Sequence, residues 1–297
     1  MPKRLELGVV KEWLALTEGV FEVRQMWAEL GIVSSEGKNH LRVILYRLEH
    51  QEPPVIVNLG YGKYRKLDNE APEISWQTAN PERIVPLKFP FGEHELCRIY
   101  PKSIVIVAGS INAGKTCYLY NFIALNMLNF QVDLYNSETG PEQMNERLTP
   151  LNIPNPAPFM VYERYDHFAD VIKPDAISVI DYLDINSEFY LVGAEIDAIF
   201  RKLKTGVAVI GLQKPPPTPV MVRGVRKLID RDLAYGGGVT AKRAALYITM
   251  SSNRLKLYKV KTPMKKTVNP TNMTWTYSFT DDGAYFTNIQ QYYGEDM

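Results

Sequence analysis

The sequence predicts an α/β protein: a mostly parallel sheet with helices between its strands, preceded by a small domain of helices and one β-hairpin. Three observations predict it. From about residue 86 onward, short apolar runs alternate with amphipathic segments, as they do where helices join parallel strands. One junction between such a run and such a segment is the glycine-containing turn GSINAGKT. Upstream lie three segments with helical apolar spacing and one with strand-like alternation, set off by a polar, proline-containing stretch.

Residues 1–68 make the first predicted domain. Apolar residues recur at helical spacing over 5–16 and again over 23–30, where Gly31 supplies a stop. Ser34 and Ser35 predict a capped third helix carrying Leu41, Ile44, Leu45 and Leu48 on one face. After Pro53-Pro54, VIVNLGYGKYRKL alternates about a Gly60-Tyr61-Gly62 turn and predicts a two-stranded hairpin. Three helices and a hairpin resemble the layout of a winged helix-turn-helix. Residues 69–85, with Pro72 and Pro81, predict a linker. Residues 86–297 make the second domain, with core strands expected at 103–108, 132–135, 177–182, 207–212 and 245–250. Helices are expected at 116–129, 141–148 and 194–203, and the tail adds strand-like runs at 255–261 and 275–279.

The turn matches G-x-x-x-x-G-K-[ST] in the strand–loop–helix context that motif requires. Gly109, Ser110, Ile111, Asn112, Ala113, Gly114, Lys115 and Thr116, with Cys117 next, are the expected nucleotide contacts. Glycines let the backbone wrap an anion, its N–H groups pointing inward at the positive end of a helix. Lys115 adds a charge for the β- and γ-phosphates, and the Thr116 hydroxyl a ligand for Mg²⁺. The second half of such a site is an acidic residue at the tip of a neighbouring strand. In AISVIDYLD, Asp181 follows four strand-like residues and is expected to hold Mg²⁺ through water, with Asp184 as a competitor. In VDLYNSETGPEQMNERL, Glu138 falls between a strand and the helix opened by Pro141. A carboxylate there suits proton abstraction from an attacking water, although such a run is also an ordinary turn.

In these pieces the chain resembles RecA-fold P-loop ATPases and, within that fold, the DnaB-type replicative helicases. GSINAGKT, NSETGPEQMNERL, ISVIDYLDI and VAVIGLQK follow in the family's order across about residues 86–265. The resemblance implies a RecA-like core with ATP and Mg²⁺ as cofactors, Glu138 as catalytic base and Asp181 as the second-strand acid. It implies that Gln213 senses the γ-phosphate and couples it to a DNA-binding loop. It also implies a homo-oligomeric ring, a hexamer in that family, with ATP at subunit interfaces and a basic finger given by the neighbour. Lys259 and Lys261 of LYKVKTP align with that finger. The helicases carry K-x-R there; a K-x-K pair is closer to the RecA recombinases, and lysine lacks the bidentate fork of arginine.

The segment after Gln213 falls where the family has a loop that tracks DNA. Lys214, Arg223, Arg226, Lys227 and Arg231 are the expected contacts to single-stranded DNA, and with Asp230 and Asp232 they leave residues 214–232 at +3. Pro215 to Pro217 and Gly236 to Gly238 predict a mobile loop with a stiffened exit. Few aromatics are interleaved, so base stacking is expected to be secondary to salt-dependent phosphate contact. In the first domain Lys38, Asn39, His40, Arg42, Arg47, Lys63, Arg65 and Lys66 offer a surface for duplex DNA. Residues 1–68 nevertheless total only +1, which leaves a protein partner or a role in ring assembly open.

Composition sets the outer limits. Hydrophobic residues at 45% and charged residues at 23% exclude wholesale disorder. No apolar run approaches the ~18 residues of a membrane span. Cys97 and Cys117 cannot build a disulfide framework, which fits a reducing, cytoplasmic setting. A net charge of +1 excludes a chain basic throughout, yet residues 251–267 alone hold six basic and no acidic side chains. The expected function is an ATP-driven, ring-forming helicase or translocase on single-stranded DNA, serving replication of a phage or plasmid-type element. The alternative is an ATP-switched DNA-binding adaptor or recombination mediator that assembles on DNA without unwinding it. A third reading is a KaiC-like regulatory ATPase that uses no nucleic acid.

Overall fold

A computed structural model describes residues 6–17, 19–68, 71, 73–183, 191–222, 225–280 and 282–294. The chain divides into two compact units, Met1–Ala79 and Asn80–Met297. The first contains α1 (Leu7–Leu16), β1 (Val20–Glu22), α2 (Val23–Glu29), α3 (Ser35–His50), β2 (Ile56–Gly60) and β3 (Lys63–Lys66). The Ser34 hydroxyl accepts the Gly37 N–H at 3.1 Å and caps α3. Leu41, Ile44, Leu45 and Leu48 bury one stripe of that helix against Val10, Trp13, Leu14 and Phe21. The expected helices and hairpin form. The addition is β1, which pairs antiparallel with β3 to give the order β1-β3-β2. Three residues are too few to show a strand period in sequence.

The second unit is built on a nine-stranded sheet. Its elements are β4 (Ser103–Gly109), α4 (Lys115–Asn126), β5 (Val132–Asn136), α5 (Pro141–Leu148), β6 (Met160–Glu163), α6 (Phe168–Val171), β7 (Ile177–Asp181) and α7 (Leu191–Lys202). There follow β8 (Val207–Gln213), β9 (Thr218–Val222), β10 (Val225–Ile229), α8 (Gly238–Ala241), β11 (Ala244–Ser251), β12 (Arg254–Val260), β13 (Thr274–Phe279) and β14 (Phe286–Tyr292). The sheet order is β14-β13-β12-β11-β4-β8-β7-β5-β6, parallel from β11 through β6 and antiparallel from β14 to β11.

Period-two alternation divides the parallel strands between two cores. On β4, Val105 and Val107 join Leu119, Phe122 and Ile123 of α4 on one face. Ile104, Ile106 and Ala108 meet Val192, Ile196 and Ile199 of α7 on the other. Burial on both faces is why these strands read as continuous apolar runs. The five expected core strands form, as do α4, α5, α7, β12 and β13, with ends shifted by a few residues. Among the described elements, the edge strands β6 and β14, the β9–β10 ribbon and the one-turn helices α6 and α8 had no counterpart among the expected ones. Both β6 and β14 lie at sheet edges, where burial imposes little pattern: β14 mixes Phe286 and Ile289 with polar residues, and β6, although it reads Met-Val-Tyr-Glu, has all four residues exposed. No helix among the described residues is long and apolar enough to cross a membrane.

Candidate nucleotide site

The strand order assembles the site. β4 lies beside β8, with Gly109 paired to Gln213, and β7 lies beside β5, with Asp181 paired to Asn136. The glycine turn, Gln213, Asp181 and the segment carrying Glu138 therefore leave the same carboxyl edge of adjacent parallel strands, where ligands of open α/β sheets bind. The loop itself is tight. Gly114 has φ +86° and caps α4, and a Cβ there would stand 2.5 Å from the Phe279 ring. At Gly109 a Cβ would meet the Lys115 side chain at 2.5 Å. Glycine is required at both positions, by conformation at the first and by close approach at both.

Lys115 is buried and bridges the site, its ammonium donating to Gln213 Oε1 at 2.7 Å and to the Gly109 carbonyl at 3.3 Å. Burial lowers its pKa, and the carboxylates of Glu138 and Asp181 oppose that shift. Thr116 Oγ1 donates to Asp181 Oδ1 at 3.4 Å. Asp181 is fully buried, and its pKa is pushed up to about 6, first by burial and then by the charge of Glu138. Its Oδ2 is buried with no hydrogen-bond partner among the described residues. A threonine hydroxyl next to a carboxylate with one idle oxygen is a hard, oxygen-only donor set, and it fits Mg²⁺. Glu138 is exposed at the cleft mouth and lines the same cleft as Lys115 and Thr116.

That cleft, about 330 Å³, has walls no motif announces. Arg147 lines it from α5, close enough to lower the pKa of Asp181. Its only sequence signal is that α5 runs directly from the Glu138 turn. Phe279, Asp282, Gly283 and Ala284 line it from the β13–β14 hairpin. The hairpin is bound to the glycine turn: the Tyr277 hydroxyl donates to the Ala113 carbonyl at 2.6 Å, and Asn121 Nδ2 to the Ala284 carbonyl at 2.7 Å. Phe91, Tyr277, Phe279 and Phe286 form an aromatic cluster, edge-to-face except for the tilted Phe279–Phe286 pair, with centroids 4.9–5.4 Å apart. Residues this distant in sequence leave no local pattern.

The basic segments depart from expectation in part. Lys214 is not presented to solvent. Its ammonium is buried, 2.9 Å from Asp230 Oδ2 and 3.1 Å from Ser251 Oγ, so it has no free face for a phosphate backbone. In this segment residues 218–222 and 225–229 pair as the β9–β10 ribbon, whose register sets Met221 opposite Arg226 and Pro219 opposite Leu228. Arg226 and Arg231 are exposed, as are Met221 and Leu228. Asp184 and Arg223 lie outside the described residues, and Lys227 is described by its backbone alone. Lys259 pairs with Tyr247, itself level with Ile106 in the middle of β4; Lys261 lies one residue past β12, its N–H bonded to Ala245. Both are roughly 10 Å or more from the loop end of β4 at ~3.3 Å per residue. The Lys259 ammonium donates to the Ala241 carbonyl at 2.6 Å, and Lys261 is exposed.

No protein-family model matches the sequence, and no curated protein matches it. Solved structures do. A KaiC-like protein from the hyperthermophilic archaeon Pyrococcus horikoshii OT3 aligns over 71% of this chain and all of its own, at 12% identity and a TM-score of 0.50. A RadB recombinase aligns over 64% of this chain and 92% of its own, at 10% identity and a TM-score of 0.45. With the sheet order, the first likeness shows that this chain shares the α/β fold of that KaiC-like protein, built on a large, mostly parallel sheet.

Proposed function

We propose that this chain is an ATP-hydrolysing, self-assembling motor on single-stranded DNA, of the DnaB-like helicase or translocase kind. The observation that carries it is the convergence of Lys115, Thr116, Asp181, Gln213 and Glu138 on one carboxyl edge of the sheet. Lys115 and Arg147 bind the phosphates from two sides, and Thr116 and Asp181 hold Mg²⁺. When bound, the ion neutralises phosphate oxygens. Glu138 takes the proton of the water whose oxygen attacks the γ-phosphorus, while the bond to the β–γ bridging oxygen breaks and ADP leaves. The Lys115–Gln213 contact gives the reaction a reporter. Phosphate competes with the Gln213 carbonyl for the Lys115 ammonium, and Gln213 is followed directly by the segment leading to the ribbon. Arg226 and Arg231 contact the strand backbone, with Lys227 and Arg223 in the same segment. Lys259 and Lys261 are too far from their own cleft to serve it, and serve a neighbour's across a subunit interface.

The test is ATP hydrolysis with and without single-stranded DNA, together with unwinding of a forked duplex. Stimulated hydrolysis with unwinding is expected. Hydrolysis indifferent to the strand, without unwinding, overturns the motor reading. A second reading, an ATP-switched adaptor or recombination mediator, draws on Lys259, whose pKa is lowered by burial and by Lys261 and whose ammonium is already engaged. Electron microscopy separates the two: closed rings mark a motor and helical filaments an adaptor.

A further inference from the structure

We propose that a recess at the foot of the β9–β10 ribbon receives an unstacked base of single-stranded DNA. This rests on the reading that the ribbon segment holds such a strand, and names a second, base-directed contact on it. The recess measures about 480 Å³, within the range of small-molecule sites, and is lined by Pro215, Arg231, Leu233, Tyr235, Gly237 and Tyr258. It brings together two tyrosines from separate segments, Tyr258 on β12 and Tyr235 in the return from the ribbon.

The recess is built on fixed parts. The Tyr258 ring stands edge-to-face on buried Tyr247, centroids 5.3 Å apart. The Tyr247 hydroxyl in turn accepts the Ala234 N–H at 2.9 Å and lies 3.2 Å from the Thr240 hydroxyl. Gly237, also in the lining, has φ +59° and open space where a Cβ would stand, so no side chain fills the recess there. The charges at the rim select an anion. Arg231 is exposed, whereas Asp232 is tied to Lys256 at 2.7 Å. An aromatic wall beneath a cationic rim suits a flat neutral ring joined to a phosphate. A protein side chain would fill the wall and leave Arg231 without its anion. The Tyr235 N–H donates to the Gln213 carbonyl at 3.0 Å, so a base held here stands one backbone bond from the residue bonded to Lys115.

The test compares two fluorescein-labelled strands of equal length and phosphate count, oligothymidylate and its abasic counterpart, by anisotropy with the full chain over a salt series. The expected result is about tenfold tighter binding of the base-bearing strand, with equal salt slopes. Tyr258→Ser is expected to abolish that difference while leaving abasic binding unchanged, and Tyr258→Phe to retain it. Thermal melts establish that each variant is folded; should Tyr258→Ser fail to fold, the wild-type comparison still decides. Equal wild-type affinity for the two strands overturns the recess and leaves the ribbon reading standing. A difference that survives in folded Tyr258→Ser also overturns it. Absence of salt-dependent binding to either strand overturns the ribbon reading, and the recess with it.

Discussion

A carboxyl that keeps its proton up to about pH 6, Asp181, stands where the proposed Mg²⁺ would be held. The unfolded chain gives up the same proton near 3.8, so the native state binds more protons between those values. The Asp181 contribution to stability is therefore fully present below about 3.8 and lost as pH rises through about 6. Ligand binding runs the other way, because Mg²⁺ needs the ionised form. MgATP affinity is expected to rise between pH 5 and 7, read by titration calorimetry, and Asp181→Asn to flatten that rise; a wild-type affinity independent of pH in this window would remove Asp181 from the metal site. Glu138 is exposed and acts on Lys115 and Asp181 through its charge, so Glu138→Gln keeps its shape and removes that charge. Turnover is expected to fall by about 10²-fold or more with ATP binding retained. Unimpaired hydrolysis in that variant would falsify its assignment as base.

Two hairpins decide what the sheet can do, and they differ in how legible they were. The β13–β14 hairpin supplies Phe279 against Gly114. Phe279→Ala is expected to cost about 2 kcal/mol of stability, less than a fully buried phenylalanine, and to weaken ATP binding. Thermal melts with and without MgATP check both, and an unchanged ATP-induced shift would mean the hairpin is no part of the cleft. The β9–β10 ribbon is anchored by Asp230 on buried Lys214. Asp230→Asn leaves that ammonium among neutral partners, with an expected loss of about 2 kcal/mol; an unshifted urea midpoint would show that Lys214 does not need Asp230. Lys115, Thr116, Glu138, Asp181 and Gln213 were readable because each follows an apolar strand at a fixed offset. Arg147, Phe279 and the depth of Lys214 were not, since they depend on which distant elements touch. Lys214 shows the limit of charge counting: a lysine within a basic run is counted as surface until the fold pairs it. The ribbon was not read either: the segment was expected as a mobile loop, although TPVMV and VRKLI carry β-branched residues on both sides of Arg223-Gly224.

At the scale of the molecule, the segment that precedes the sheet is fastened to the helix that follows the glycine turn. Glu93 is fully buried, accepting the Tyr118 hydroxyl at 2.7 Å and the Phe91 N–H at 3.0 Å, and burial raises its pKa from 4.5 to about 7. Its neutral form is the folded one, so stability is expected to fall as pH rises from about 4.5 through about 7. Urea unfolding at pH 6 and pH 8 checks this, and a Glu93→Gln variant that keeps the full wild-type slope would assign the effect elsewhere. Charge is also organised at this scale, with Asp230 and Asp232 paired at the ribbon foot while Arg226 and Arg231 stay exposed. The bond from Tyr277 to Ala113 closes a loop of 164 residues. Synthesis runs from the amino end, so the phosphate-gripping turn leaves the ribosome long before the strand that walls it. A nascent or clipped chain stopping short of Thr274 carries the whole motif and an open-sided cleft. On the proposed ATP binding, the nucleotide stabilises by mass action molecules folded through β13 and β14 more than those that stop short of them, and so acts as an inspector of finished chains.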